Sequence, residues 1–179
     1  YHEKYPHVEL YVRLGSPKDL LDDLNKGNLH VLFLRNPTEE ISQLHEKILG
    51  EDPLELVMSR ELDPAPELDT IPIEALEGVP MCLLRSDDMW GYSSHLINEC
   101  QRRGFTPNTV CQCYDTPMAM QMVQAGFGIS YLPRSIVETQ PHSDLYTKPL
   151  VGVNARSYPM LIWSGNIYYA NCVMQFISM

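Results

Sequence analysis

Two residues with a side-chain hydroxyl each stand directly before a proline, and each pair could form part of a ligand-binding site. Ser16 precedes Pro17, and Thr116 precedes Pro117. Ser and Thr are favoured N-cap residues, and proline is favoured at the first helical position. Each pair therefore predicts a helix start, where unpaired backbone N–H groups can hold an anion or a polar ligand group. Plain helix capping is the alternative for both hydroxyls, although a capping hydroxyl can also contact a ligand.

Three further side chains suit the binding of a small organic ligand. Arg35 follows an apolar run, and a guanidinium beside helix N-termini is a natural partner for a carboxylate. Trp90 and Tyr92 flank Gly91 in a predicted loop, where aromatic rings can form the walls of a ligand site. A solvated surface position for Arg35, and core or interface positions for the two aromatics, are the alternatives.

The cysteines and the known catalytic patterns favour no metal, cofactor or reaction. Five cysteines make an odd count without framework spacing, which is typical of reduced and mostly buried thiols. Cys111 and Cys113 would face one side of a strand, but no second Cys or His pair at ligand spacing accompanies them. Because no G-x-S-x-G, H-E-x-x-H or P-loop pattern is present, we expect a chain that is not an enzyme.

Charge argues against a nucleic-acid surface in these residues. The formal net charge is −10, and residues 1–78 hold 17 acids and 7 bases whereas residues 79–179 hold 6 of each. A nucleic-acid surface would be basic, so any contact with DNA is expected outside this sequence. No apolar run approaches the ~20 residues that cross a bilayer, and no signal-peptide pattern opens the chain. We therefore expect no membrane association and a cytoplasmic location.

The hydrophobic pattern alternates strands with helices, which predicts an α/β fold. In the stretch 115–133, Thr116 is expected to cap a helix that Gly126 ends, and a strand follows at 129–132. The order strand, Ser16-Pro17, helix, Gly27, strand repeats this arrangement earlier in the chain, and two such βαβ units predict parallel pairing with right-handed crossovers. The other expected elements are strands at 8–14, 28–34, 54–58, 81–84, 109–114, 145–151 and 160–163, a helix end at 1–5, helical segments at 41–45, 73–76 and 168–177, and a helix capped by Ser93 or Ser94.

Two chain crossings are expected to divide the molecule into lobes. The chain would leave the first lobe near 51–56 and return near 151–157, which gives lobe I as 1–52 and 155–179 and lobe II as 53–154. Ligands in such sheets bind outside the carboxyl ends of the strands. The helices that start near Ser16, Ser93 and Thr116 are therefore predicted to point into the space between the lobes.

Two segments resemble the effector-binding domain of LysR-type transcriptional regulators, and the resemblance extends over nearly the whole chain. YHEKYPHVELYVRLGSPKDLLDDLNKGNLHVLFL is similar to the family's order of a helix ending in YP, a strand, a Gly-Ser/Thr turn, a helix closed by Gly and a strand. MVQAGFGISYLP is similar to the family's V-x-x-G-x-G-I-x-x-L/V-P block. The resemblance implies two Rossmann-like lobes joined by two crossover segments, similar to type 2 periplasmic binding proteins.

The resemblance also implies the positions of an effector site. Ser16, with Pro17, falls on the helix start that contacts effectors, and Thr116 falls on the start of the central helix. Arg35 falls where some relatives hold an anionic ligand, and His30 stands where the family usually has Asp. The second-lobe loop that faces the cleft is represented by Ser86, Trp90, Gly91 and Tyr92.

The function implied is that of a regulatory domain that senses a small-molecule effector, for which an organic anion is our expectation. The family acts as a homodimer or homotetramer and contacts DNA through an N-terminal winged helix-turn-helix domain, which is absent from this chain. The family's first strand and most of its first helix are also expected before Tyr1. The alternative is a solute-binding protein of a transport system with the same architecture, which an export signal would identify.

Overall fold

The computed structural model describes residues 1–35, 41, 44–85, 92–139, 144–166 and 168–179. These residues form a mixed α/β structure, which confirms the predicted class. The helices are α1 Pro17–Asn25, α2 Tyr92–Arg102, α3 Thr116–Gln124, α4 Arg134–Glu138 and α5 Asn171–Ile177. The strands are β1 Leu32–Arg35, β2 Leu44–Ile48, β3 Asp52–Ser59, β4 Ile71–Pro72, β5 Pro80–Leu84, β6 Asn108–Cys113, β7 Ser130–Pro133, β8 Leu145–Val151, β9 Arg156–Ser157 and β10 Pro159–Ser164.

The chain divides into two compact units, each built from its own elements. Unit 1 comprises Tyr1–Gly50 and Tyr158–Met179, and unit 2 comprises Glu51–Ser157. The assignment of these units as the lobes 1–52 with 155–179 and 53–154 stays a prediction. No described helix has the length and apolar character to cross a bilayer.

Unit 1 is built on a small antiparallel sheet. The strand order is β1-β10-β2, and both pairs are antiparallel. Helix α1 packs on β1 and β10 with a buried leucine stripe, which is the i, i+1, i+4 face expected of an amphipathic helix. The predicted parallel pairing is therefore wrong for this unit, because β1 pairs with the antiparallel strand β10 instead.

Two elements expected in unit 1 differ because a strand needs a partner. Residues 8–14 alternate as a strand would, but they belong to no strand, and Leu14 is 93% exposed. Leu44 and His45, predicted as helical, begin β2 instead. His45 pairs with Trp163 of β10, and their rings stack 5.6 Å apart. Such cross-strand contacts outweigh a weak local helical pattern.

Unit 2 contains the main hydrophobic core and the parallel strands. One sheet has the order β4-β8-β3-β7, with β9 also on β3, and β5 pairs with β6 in parallel. A parallel bridge joins Met81 of β5 to Ile129, directly before β7. The unit β6-α3-β7 therefore has its strands parallel on either side of β5, as predicted for this part of the chain. The core lies between these strands and the helices α2 and α3.

Close backbone packing explains the glycine block after α3. Gly126 ends the helix with φ of 78°, in the left-handed region that glycine favours. A Cβ on Gly128 would lie 2.4 Å from the carbonyl oxygen of Pro80. The amide of Ile129 donates to the same oxygen at 2.9 Å. Gly128 is therefore needed for the approach of this segment to β5.

Candidate functional site

In unit 1, Ser16 caps α1 as predicted, and its hydroxyl is engaged within the helix start. The Ser16 Oγ accepts from the backbone N–H of Asp19 at 3.2 Å and donates to the Asp19 carboxylate at 2.8 Å. Pro17 occupies the first helical position. The Asp19 carboxylate already stands at the positive end of the helix dipole, so it competes there with any anionic ligand.

Arg35 lies at the end of unit 1 from which α1 starts. It is the last residue of β1, opposite Pro159, and it is half-buried. The chain reverses between α1 and β1, which pack on each other, so the helix start and the carboxyl end of β1 share one side of the unit. The topology thus places Ser16 and Arg35 on the same side of unit 1.

In unit 2, the predicted cap of α3 is wrong by one residue. Asp115, not Thr116, is the N-cap: its backbone is extended and its carboxylate accepts from the Met118 N–H at 2.8 Å. A carboxylate both accepts this bond and complements the helix dipole. Thr116 becomes the first helical residue, and its half-buried hydroxyl does not cap the helix.

Two side chains beside Thr116 escaped the sequence analysis. Because β5 and β6 are parallel, their carboxyl ends meet at one edge, and the Arg85 N–H donates to the carbonyl of Cys113 at 3.0 Å. The Arg85 guanidinium carbon lies 5.8 Å from the ring centre of Tyr114, which is 76% exposed. This is a cation–π arrangement at the start of α3. A sequence signal existed, since LFLR before residue 36 and CLLR before residue 86 both end an apolar strand in Arg.

Tyr92 is buried, in agreement with the core alternative for this ring. It is the first residue of α2, and its hydroxyl lies 2.7 Å from the Oγ of buried Ser157. Ser157 belongs to β9 and pairs with Asp52 at the start of β3. The same helix contains Ser93 and Ser94 within its first turn, so the prediction that one of them caps it is wrong. The predicted site residues Ser86, Trp90 and Gly91 lie outside the described residues.

Among the residues that the structure describes, no group of three or more His, Cys, Asp and Glu side chains has an arrangement that could hold a metal ion. At the edge of unit 2 where β5 and β6 end, the Arg85 guanidinium and the Tyr114 ring lie together, and the chain enters α3 two residues later at Thr116. Together they can hold an anionic or aromatic small molecule through charge, stacking and hydrogen bonds.

A family comparison decides the class of protein. The family described as LysR substrate binding domain matches residues 1–178. The chain belongs to the LysR substrate-binding domain family.

Curated relatives of this LysR-family chain are transcriptional regulators. BsdA, an HTH-type transcriptional regulator of Bacillus subtilis (strain 168), is 25% identical over 181 residues, which cover 99% of this chain and 60% of BsdA. AlsR, an HTH-type transcriptional regulator of the same organism, is 27% identical over 135 residues, covering 75% of this chain and 44% of AlsR. The chain thus spans 60% or less of these relatives. The family match and the relatives confirm a regulatory domain rather than an enzyme.

Solved structures show the same fold. The Synechocystis PCC6803 CcmR regulatory domain, in complex with 2-PG, is 17% identical with a TM-score of 0.82, and the match covers 99% of this chain and 84% of that one. The C-terminal domain of a probable LysR family regulator from Rhodococcus sp. RHA1 is 18% identical with a TM-score of 0.81, covering 99% and 86%. The predicted LysR fold, of the type 2 periplasmic-binding kind, is confirmed.

Proposed function

We propose that this chain senses a small-molecule effector and passes the signal to a DNA-binding domain of the same regulator polypeptide. The observation that carries the proposal is the family match over residues 1–178. The relatives BsdA and AlsR are named as HTH-type regulators, and each extends well beyond the part that this chain matches. The acidic balance of residues 1–78 supports a DNA contact made elsewhere in the polypeptide.

The part of the effector site in unit 2 is proposed at the carboxyl ends of β5 and β6. The Asp115 carboxylate already neutralises the start of α3, so helix-dipole attraction for a second anion is small. A negative effector would therefore depend on Arg85, through a charge-assisted hydrogen bond. The Thr116 hydroxyl would supply a further hydrogen bond, and the Tyr114 ring would supply an apolar wall. An organic anion is the ligand class that suits these groups.

The other predicted site residues would also contact the effector or support the residues that do. Ser16, Pro17 and Arg35 would contribute from unit 1, with Arg35 as its cation. Ser86, Trp90 and Gly91 would form the effector loop that follows Arg85, and buried Tyr92 would anchor the end of this loop. We also propose that the starts of α1 and α3 face the same effector cleft.

Assembly as a homodimer or homotetramer would carry the signal to DNA. An effector can shift such an equilibrium only by its different affinities for the two states of the protein. We therefore propose that effector binding changes the arrangement of the subunits and thereby DNA binding.

Calorimetry on the full-length regulator tests the effector class. The panel would contain small organic acids and, for each acid, its neutral amide. We expect at least one acid to bind and its amide to bind much more weakly. Arg85→Ala should then lower the affinity about 10- to 100-fold, because a hydrogen bond to a charged group contributes roughly 1.5–3 kcal/mol.

Arg102→Ala provides the matched control, because Arg102 is an exposed arginine in the last turn of α2 and pairs with Glu99. This variant should bind the acid like the parent protein. Equal binding of acid and amide would contradict the anion proposal. A complete lack of binding and of thermal shift across a broad metabolite panel would contradict the sensing role itself.

A solute-binding protein of a transport system is the second candidate, because it would share the architecture. The regulator names of the curated relatives favour the first candidate. The upstream reading frame distinguishes the two: a winged helix-turn-helix supports the regulator, and an export signal supports the transport protein.

A further inference from the structure

Three thiols of unit 2 meet on the parallel strands β5 and β6. Pairing is irregular after Met81, and Cys82 consequently lies opposite Cys111. This register places the two residues side by side on neighbouring strands. The Sγ of Cys111 also lies 3.7 Å from the Sγ of Cys113. Cys111 therefore lies opposite one thiol across the strands and contacts another along its own strand.

The three thiols differ in their access to solvent. Cys82 and Cys113 are fully buried, whereas Cys111 is partly exposed. Burial raises the pKa of Cys82 to about 11 and the pKa of Cys113 to about 12, so both are protonated at neutral pH. A dissolved oxidant would reach Cys111 first.

We propose that Cys111 is an oxidation site and that Cys82 converts the oxidised product into a Cys82–Cys111 disulfide. The oxidant is a hydroperoxide. In the first step the Cys111 sulfur attacks the terminal peroxide oxygen, the O–O bond breaks, and the thiol proton passes to the departing alkoxide. The products are a Cys111 sulfenic acid and an alcohol, or water if the oxidant is hydrogen peroxide.

In the second step the Cys82 sulfur attacks the Cys111 sulfur and the S–O bond breaks. The hydroxide leaves with the Cys82 proton as water. The two thiols lose two electrons and two protons in total, and the hydroperoxide takes them up. Because the Cys82 thiol is buried and protonated, this second step is expected to be the slow one.

Strand geometry selects Cys82 over Cys113 as the partner. Neighbouring strands lie roughly 4.8 Å apart, which is within the Cα separation of ~4.4–6.8 Å that disulfides span. Two residues along one extended strand lie about 6.6 Å apart, and their roughly parallel side chains keep the Cβ atoms near that separation, beyond the ~3.5–4.5 Å between the Cβ atoms of a disulfide. A disulfide between Cys111 and Cys113 would therefore require β6 to bend.

The disulfide would lie beneath the edge of unit 2 described above. Strands β5 and β6 lead directly to Arg85 and Tyr114, so a covalent bond between the strands would fix the spacing of these two residues. The inference depends on the three thiols alone. It holds or fails independently of the proposed effector.

Peptide mapping of the full-length regulator tests the proposal. The protein is treated with hydrogen peroxide, alkylated, and digested with trypsin without reduction. Trypsin leaves Cys82 in the peptide 61–85, and Cys111 and Cys113 together in the peptide 104–134. We expect these two peptides to appear as one linked species, two hydrogens lighter than their sum, that reduction separates.

Serine variants identify the two partners. Cys113→Ser, as well as Cys100→Ser in helix α2, should retain the linked peptides. Cys82→Ser and Cys111→Ser should lose them. An internal disulfide within 104–134, or oxidation of Cys111 to the sulfinic acid without a link, would overturn the assignment of Cys82.

Alkylation of the native parent protein gives a second measurement that does not depend on a variant. We expect iodoacetamide to label Cys111 at least tenfold faster than Cys82, Cys100 and Cys113. If all four thiols were labelled at the same rate, Cys111 would not be the thiol that a dissolved oxidant reaches first.

Discussion

An ion pair in unit 1 and an ion pair in unit 2 differ in their burial. In unit 1, the ion pair of Arg13 with Asp23 lies at the surface, where the Arg13 side chain is 42% exposed. In unit 2, Lys148 pairs with Asp63 at 2.5 Å, and their side chains are only 11% and 1% exposed. A buried polar contact has few alternative geometries and a high cost of disruption. The Lys148–Asp63 pair is therefore expected to stabilise unit 2 more than the Arg13–Asp23 pair stabilises unit 1.

The helix starts of the two units differ in their capping groups. Helices α1 and α3 end alike, because Gly27 and Gly126 follow them and each donates to the carbonyl three residues earlier. They begin differently, since a serine hydroxyl caps α1 and an aspartate caps α3. A hydroxyl-proline pair thus predicts where a helix starts, but not which atom caps it.

The largest effect is expected from the buried ion pair. Lys148→Met should destabilise unit 2 by about 3 kcal/mol, because it leaves the Asp63 carboxylate buried without its cation. Arg13→Met, the matched change in unit 1, should have little effect on unfolding. Urea unfolding followed by circular dichroism measures both. If both variants lost the same unfolding free energy, the buried ion pair would not stabilise the protein more than the exposed one.

A smaller loss is expected at the first residue of α2. Tyr92→Phe removes the hydroxyl that contacts buried Ser157 and should cost about 1–2 kcal/mol of unfolding free energy. In a double-mutant cycle with Ser157→Ala, the two losses should not add, because both remove the same hydrogen bond. Strict additivity would show that this contact does not stabilise unit 2.

Substitutions at the two helix starts should have different effects, one on stability and the other on ligand binding. Ser16→Ala removes a cap and should cost about 1 kcal/mol. Thr116→Val leaves the Asp115 cap in place, so unfolding should change by less than about 0.5 kcal/mol. Under the proposed function, Thr116→Val should instead weaken effector binding several-fold in calorimetry. If Thr116→Val instead lowered stability by about 1 kcal/mol and left effector binding unchanged, Thr116 would be the capping residue.

The smallest effect concerns acid pH. Burial alone would raise the pKa of Asp63, but hydrogen bonds from Lys148, Tyr146 and the Ala65 N–H hold that pKa below its ordinary value. The stabilisation is therefore complete above the unfolded-state pKa of about 3.9 and is lost as the pH falls through the lower folded-state pKa.

Urea midpoints measured from pH 6 to pH 3 check this dependence. We expect the parent protein to lose stability below about pH 4. Asp63→Asn should show a shallower slope than the parent, because it lacks the carboxylate whose pKa the fold lowers. A steeper slope for Asp63→Asn would contradict the assigned sign.

Local signals explain what could be predicted from the sequence. The cap of α1, the glycine ends of α1 and α3, and the parallel unit around α3 depend on residues a few positions apart. The two-lobed fold of the family followed from the resemblance of two such segments. These features need no knowledge of distant partners, because backbone caps and turns are satisfied within one or two helical turns.

Distant contacts account for the errors and the omissions. Residues 8–14 have a strand pattern but no paired strand, and His45 joins a strand because Trp163 lies opposite. Arg85 meets Tyr114 only because β5 and β6 are parallel neighbours. Asp63 and Lys148 are far apart in the chain, and no local pattern links them. The predicted contacts of Ser16, Arg35 and Thr116 with an effector stay predictions, as do those of Ser86, Trp90 and Gly91.

Under the proposed function, the position of the cap before α3 has a consequence for how effector specificity can change. Since Asp115 supplies the side-chain cap of α3, substitution of the neighbouring Thr116 is expected to leave the fold stable. Single substitutions at Thr116 would therefore change effector specificity at little cost in stability. Selection for stability would not remove them. A mutational library confined to Thr116 and Arg85, with Asp115 held constant, would be a practical starting point for retargeting the domain to other metabolites.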